Sequence, residues 1–326
     1  MPRSTLAFAV ACAIVLPAPA MAQNWPTRPV TMVVPYAAGG ATDIVARLLS
    51  VRLTEVLGQQ VIIENIGGAG GMTGASRVAK ATPDGYQFLL GNVGTQAHSQ
   101  TLYKRPLYNA ATDFAPVALL VDLPMVMVAR MNFPADNLKD FIAYAKVNQA
   151  KMQYASAGSG SSTHLACALL NSAMGVEITH VPYRSSAPAL QDMIAGRVDY
   201  HCLNSASALP HIEGKTAKPI TMLTKERSPA FPTIPTANEQ GLKDFEVGNW
   251  LAFFLPKATP APIVQKLNEA AVATLNTPAT IDLLNRNGAD VVAPDRRTPA
   301  YLQKYVESEI AKWAVTIKAA GLAGSQ

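Results

Sequence analysis

The chain has 326 residues, 49% hydrophobic and 15% charged, the balance of a globular protein long enough for two domains. Its formal net charge is +5, but the basic residues are scattered, with no basic stripe interleaved with aromatics, which argues against nucleic-acid binding. The 24 prolines flank apolar runs, as expected where strands, loops and helices alternate.

Residues 1–22 read as a signal peptide. Arg3 supplies the positive start, "LAFAVACAIVLPAPA" the apolar stretch, and Ala20-Met21-Ala22 a small-residue cleavage site. The apolar stretch is short of the ~20 residues a membrane helix needs and ends among prolines. Cleavage after Ala22 would leave the mature chain in the periplasm. Cys12 sits inside the apolar run, a poor context for lipidation.

Next, "VTMVVPY" reads as a strand, followed by the loop "AAGGATD" and an amphipathic helix from Asp43 to Leu57 that stops at Gly58. "QQVIIENI" is a second strand, "MTGASRVAKA" a second helix and "YQFLLGN" a third strand, running into the loop "VGTQAHSQTLY". This β-α-β-α-β order predicts a parallel sheet covered by helices. "MQYASAGSGSSTHLACALLNSAMG" and "ITHVPYRSSAPALQDMIAGRVDYHCLN" repeat the logic. The fold class is therefore α/β in two lobes with a cleft between them. The segment 114–130 is long enough to cross from one lobe to the other, and a return near 246–262 would bring the C-terminal helices back. The expected lobes are 23–124 with 227–326, and 125–226.

Catalytic and metal chemistry find little support. The five histidines lack H-E-x-x-H spacing, and His180 and His201 lie in apparent strands, where a satisfied structural histidine is the usual reading. There is no G-x-S-x-G elbow, P-loop lysine or C-x-x-C. Asp192 and Asp199 flank a helix end, where capping or solvation is the default. "ENIGGAGGMTGAS" has glycines between a strand and a helix, but Thr73 stands where a dinucleotide turn needs its third glycine. No acidic residue follows the next strand to hold a ribose. Two cysteines follow the leader, Cys167 and Cys202; their spacing allows a disulfide or two buried thiols, and free thiols are the expectation.

What remains is a set of anion-binding loops. In "PYAAGGATD" the candidates are Tyr36, Ala38, Gly39, Gly40 and Asp43; after the third strand they are Asn92 and Thr95. In "SAGSGSSTH" Ser156, Gly158, Ser159, Gly160 and Ser161 supply more hydroxyls and free N–H groups than a helix cap requires. Arg184 and Asn204 complete the set. Arg184 could reach a second carboxylate or stay a solvated loop residue, and Tyr36 and Tyr183 could line the cleft beside an aromatic acid or simply pack. Asp43 more naturally stabilises the start of its own helix than touches a ligand. The arrangement binds and orients without supplying a reactive group. An exported α/β enzyme on a small carboxylate or ester, or a sensory binding protein, is the alternative.

"WPTRPVTMVVPYAAGGATD", "GQQVIIENIGGAGGMTGASRVAKATPDGYQFLLG", "YASAGSGSSTHLA", "VPYRSSAPALQDMIAGRVDY", "PTIPTANEQGL" and "WLAFFLPKATPAPIVQKLN" together resemble the extracytoplasmic receptors of tripartite tricarboxylate transporters, the Bug family. The resemblance implies a type II periplasmic-binding-protein fold closing on a di- or tricarboxylate, an acidic amino acid or an aromatic carboxylate. It also implies delivery to integral membrane transporter subunits, no cofactor, no metal and a monomeric receptor. Family members usually carry a glycine where "YRSSAP" has Ser185, and the loop holding His98, Ser99 and Gln100 also departs from the pattern. Both changes add polar groups near the expected cleft.

Overall fold

The computed structural model describes residues 25–326. The signal peptide and its cleavage site lie outside the described residues. The strands are β1 (Val30–Val34), β2 (Val61–Asn65), β3 (Gln87–Asn92), β4 (Phe114–Leu123), β5 (Met125–Arg130), β6 (Gln153–Ser156), β7 (Thr179–Pro182), β8 (Tyr200–Asn204), β9 (Ala217–Met222), β10 (Asn249–Pro256) and β11 (Asp290–Val291). The α-helices are α1 (Ala41–Leu57), α2 (Met72–Ala79), α3 (Ser99–Leu102), α4 (Leu138–Asn148), α5 (Ser162–Met174), α6 (Ser186–Ile194), α7 (Ser205–Glu213), α8 (Ala261–Leu275), α9 (Pro278–Arg286) and α10 (Pro299–Ala319).

Two sheets form, ordered β11-β4-β10-β3-β1-β2 and β7-β6-β8-β5-β9. In the first, β1 is parallel to β2 and β3, while β10 runs antiparallel to β3 and β4. In the second, β6 is parallel to β7 and β8, while β5 runs antiparallel to β8 and β9. The sheets thus share one plan, and in each the antiparallel strand arrives from the other sheet. Central strands are apolar on both faces because helices cover both sides; every residue of β10 is buried.

Pro124 alone separates β4 from β5, so the first crossing is a single residue. The return runs into β10, within 246–262, so the second lobe continues past residue 226. Beyond β9 the chain stays on the second sheet: Met222 N–H donates to Pro235 O and Val247 N–H to Leu223 O. Phe231 and Ile234 are buried with Val126, Leu190 and Leu203. Residues 227–247, expected in the first lobe, therefore pack on the second, because their apolar side chains bury there. The C-terminal helices do return, and Asn268 of α8 donates to Val117 O of β4.

Cys167 and Cys202 are joined in a disulfide, which corrects the expectation of free thiols. The physical reason is packing: α5 lies on β8 and brings the two Cα atoms to 5.5 Å, within bridging range. Among the described residues no helix is long and apolar enough to cross a membrane.

Candidate functional site

At the strand ends facing the seam between the sheets, four helices begin. α1 starts after Gly40, α5 after Ser161, α6 after Ser185 and α7 after Asn204. They converge on a small cavity. Tyr36, Gly40, Ala41, Thr42 and Asn92 line it from the first sheet, and Ala157, Ser162, Thr163, Ser185, Ser186 and Asn204 from the second. No charged side chain is among them.

The potential in this cavity comes from the backbone. In α1 the first intrahelical donor is Ile44, which bonds Gly40 O, so the earlier N–H groups have no partner within the helix. In α5 the His164 N–H is taken by Ser161 Oγ and the Leu165 N–H by Ser161 O, leaving those of Ser162 and Thr163. Orphan donors and the positive ends of helix dipoles together favour an anion, and here they do so from both sides.

Most of the predicted loop residues build the cavity rather than line it. Asp43 accepts hydrogen bonds from Gly39 N–H at 2.9 Å, Arg47 Nε at 2.9 Å and Asn65 Nδ2 at 2.9 Å. Burial works against its ionisation, but these bonds outweigh burial and hold its pKa below the ordinary value. Its carboxylate is fully engaged and stays out of the cavity. Ala38 and Gly39 sit exposed on the rim. Thr95 Oγ accepts from Asn92 N–H while Asn92 Oδ1 accepts from Thr95 N–H, each at 3.0 Å, so Thr95 fixes the lining Asn92 from below. Tyr36 donates its hydroxyl to Gly70 O at 3.1 Å; its burial pushes the phenol pKa up, so it stays neutral.

In the second lobe Ser156 Oγ pairs with His180 Nε2 at 2.6 Å and accepts from Gly158 N–H. Ser161 Oγ donates to Gly158 O at 2.7 Å. Gly158, Ser159, Tyr183 and Arg184 face a separate outer groove, and Gly160, at φ +83°, abuts the Tyr103 ring. The Arg184 side chain is exposed; only its carbonyl takes part in the seam, accepting from Ala37 N–H at 3.3 Å. Tyr183 donates to Asp192 Oδ2 and does not face the cavity, so no pair of tyrosines flanks it.

Tyr36, Gly40, Asn92 and Asn204 are therefore the predicted residues that the fold brings together around the cavity. The remaining lining residues are Ala41, Thr42, Ala157, Ser162, Thr163, Ser185 and Ser186; of these the sequence pointed to the hydroxyls of Ser162 and Thr163 and to Ser185 near the cleft, and missed the other four. Five of the seven begin a helix, and the signal was helical position: the first turn, rather than the loop before it, points inward.

Three histidines are buried and His180 is half-buried, with His164 and His180 ring centroids 4.2 Å apart and His98 against Trp313 at 4.6 Å. None lines the cavity. Burial lowers His98, His180 and His201 to about 3 and His164 to about 4. His180 has its serine partner, but both ring nitrogens of His201 are unpaired, contrary to the satisfied role expected of it. Among the described residues no group of three or more His, Cys, Asp or Glu could hold a metal.

Residues 45–322 match the model of the tripartite tricarboxylate transporter family receptor. The chain is 40% identical over 310 residues to the UPF0065 protein in the TAR-I ttuE-ttuC' intergenic region of Agrobacterium vitis, covering 95% of this chain and 89% of that one. Among solved structures, the periplasmic binding protein BugD is 40% identical with a TM-score of 0.89, over 92% of this chain and 99% of that one. MatC from Rhodopseudomonas palustris with bound malate is 40% identical with a TM-score of 0.87, over 90% and 100%. R. palustris Rpa4515 with adipate is 36% identical with a TM-score of 0.88, over 92% and 99%. The family and these structural neighbours are solute-binding proteins that share the two-lobed fold; this protein is a binding receptor, not an enzyme. The chain belongs to the tripartite tricarboxylate transporter receptor family.

Proposed function

We propose that the protein is a periplasmic receptor that captures a short organic dicarboxylate between its lobes and hands it to integral membrane transporter subunits. One observation carries this reading: helix N-termini from both sheets converge on one small cavity that no charged side chain enters. A carboxylate buried without partners would cost several kcal/mol; here orphan N–H groups stand ready at both ends. The lobes are 25–124 with 248–326, and 125–247, exchanging at Pro124 and Gly248.

The size and chemistry of the cavity narrow the ligand. The lobes close tightly over the cavity, and helix starts from both sheets face it, which favours a short acid gripped at both ends. No acidic side chain lines it to balance an ammonium group, which disfavours amino acids. Malate in MatC and adipate in Rpa4515 are dicarboxylates held by relatives of the same fold.

The test is a thermal-shift screen of the purified receptor against carboxylates, followed by calorimetry on the hits. A ligand at 100 times its Kd adds ~2.7 kcal/mol to apparent stability. Short dicarboxylates should raise Tm most. No shift with any carboxylate, together with turnover of an ester, would replace the receptor by the enzyme alternative.

A further inference from the structure

Ser185 lines the cavity, and its hydroxyl is wholly buried with no hydrogen-bond partner. Its position makes this unusual. Ser185 is the N-cap of α6, with extended backbone at φ −164° and ψ 173°, and a serine there ordinarily accepts from the N–H two or three residues on. The third residue on is Pro188, which has no N–H, and no cap bond forms. The local sequence therefore places a hydroxyl at a helix start and removes its usual partner.

Ser185 also sits where the lobes meet. A Cβ built on Gly40 would lie 3.8 Å from Ser185 Cβ and 3.8 Å from Ser186 N. The hydroxyl thus lies beside the start of α1, which holds one end of the cavity, while α5 and α6 supply donors from the other side. A carboxylate at either end already meets backbone N–H groups. A hydroxyl at the junction faces what lies next to the carboxylate: the adjacent carbon and any oxygen it carries. Ser185 can donate to such an oxygen and accept from it.

We propose that Ser185 is a specificity residue that selects a C4 dicarboxylate bearing a hydroxyl on the carbon next to a carboxylate over its unsubstituted counterpart. This rests on the dicarboxylate-receptor reading above. With an unsubstituted acid the serine stays buried and unpaired, so discrimination comes from the penalty as much as from the bond. With the hydroxy acid its unpaired oxygen gains a partner.

The experiment is calorimetric titration of the full mature receptor, wild type and Ser185→Ala, with malate and with succinate. Circular dichroism and Tm establish that the variant is folded; since Ser185 makes no cap bond, the fold should survive. The wild type should bind malate at least tenfold more tightly than succinate, and the variant should bind the two within threefold of each other. An undiminished preference in the variant, or no preference in the wild type, overturns the role of Ser185 and leaves the receptor reading standing. Binding of neither acid, nor of any other carboxylate, overturns both.

Discussion

The Tyr103 hydroxyl, at the end of α3, donates to the Ser159 carbonyl of the second lobe at 2.7 Å, and so ties the two lobes together across the seam. The bond exists only when the lobes meet. Tyr103→Phe should therefore weaken ligand binding severalfold, in line with about 0.5–1.5 kcal/mol for one hydrogen bond. The loss should lie mainly in a faster dissociation rate, measurable by stopped-flow displacement. A variant with unchanged dissociation would remove this bond from the closing mechanism.

Gly70 makes a stricter contact at the same seam. A Cβ there would lie 2.2 Å from Ser159 O, and its φ is +61°. Gly70→Ala should keep the lobes from meeting and lower affinity about tenfold to a hundredfold, an overpacking cost of about 1–3 kcal/mol. Gly196, at φ +78°, has open space around its missing Cβ, so Gly196→Ala carries the backbone strain without the clash. Calorimetry should find the loss in the first variant only.

Acid should destabilise the protein through its buried histidines. Their folded pKa values of about 3 to 4 lie below the ordinary 6.5, because burial penalises the charged ring. As pH falls below 6.5 the unfolded chain takes up protons that the folded one refuses, so stability is full above 6.5 and declines toward pH 4. Each such histidine contributes a slope of up to about 1.4 kcal/mol per pH unit. Asp43 adds to this at lower pH: its depressed pKa gives stability above the ordinary carboxylate value that is lost below it. Tm should fall from pH 7 to pH 5, and His201→Leu, which deletes a ring with no hydrogen-bond partner, should fall less. An equal drop in that variant would place the acid sensitivity elsewhere.

The Cys167–Cys202 bridge pins α5, whose first turn lines the cavity, to β8, which ends at the lining Asn204. Replacing both cysteines with alanine should cost about 2–4 kcal/mol of stability. Denaturant unfolding with and without reductant checks this: reductant should lower the midpoint of the wild type and leave the double variant unmoved.

Strand–loop–helix order was legible because apolar runs, glycines and caps are local signals, and they reveal both sheets. The allegiance of 227–247 was not, because this stretch has no regular element and joins the second lobe through long-range contacts such as the burial of Phe231 and Ile234. In "SAGSGSSTH" the chemistry was legible but the direction of each hydroxyl was not. The hydroxyls of Ser156, Ser161 and Thr163 point back into the loop, while Ser162, between the last two, lines the cavity without such a bond. Direction follows from helical phase and from the partner each oxygen finds, and His180, partner of Ser156, lies on a different strand. The local bonds of Asp43 were legible, since Arg47 and Gly39 are sequence neighbours.

Because the N–H groups that make the cavity attractive to an anion belong half to one lobe and half to the other, parting the lobes splits the binding site itself. Each lobe then keeps only the weaker fraction, with no lysine or arginine to retain the ligand. Release therefore needs no competing charge and no chemical step. A membrane partner that grips the two lobes and pulls them apart would lower the affinity by that act alone.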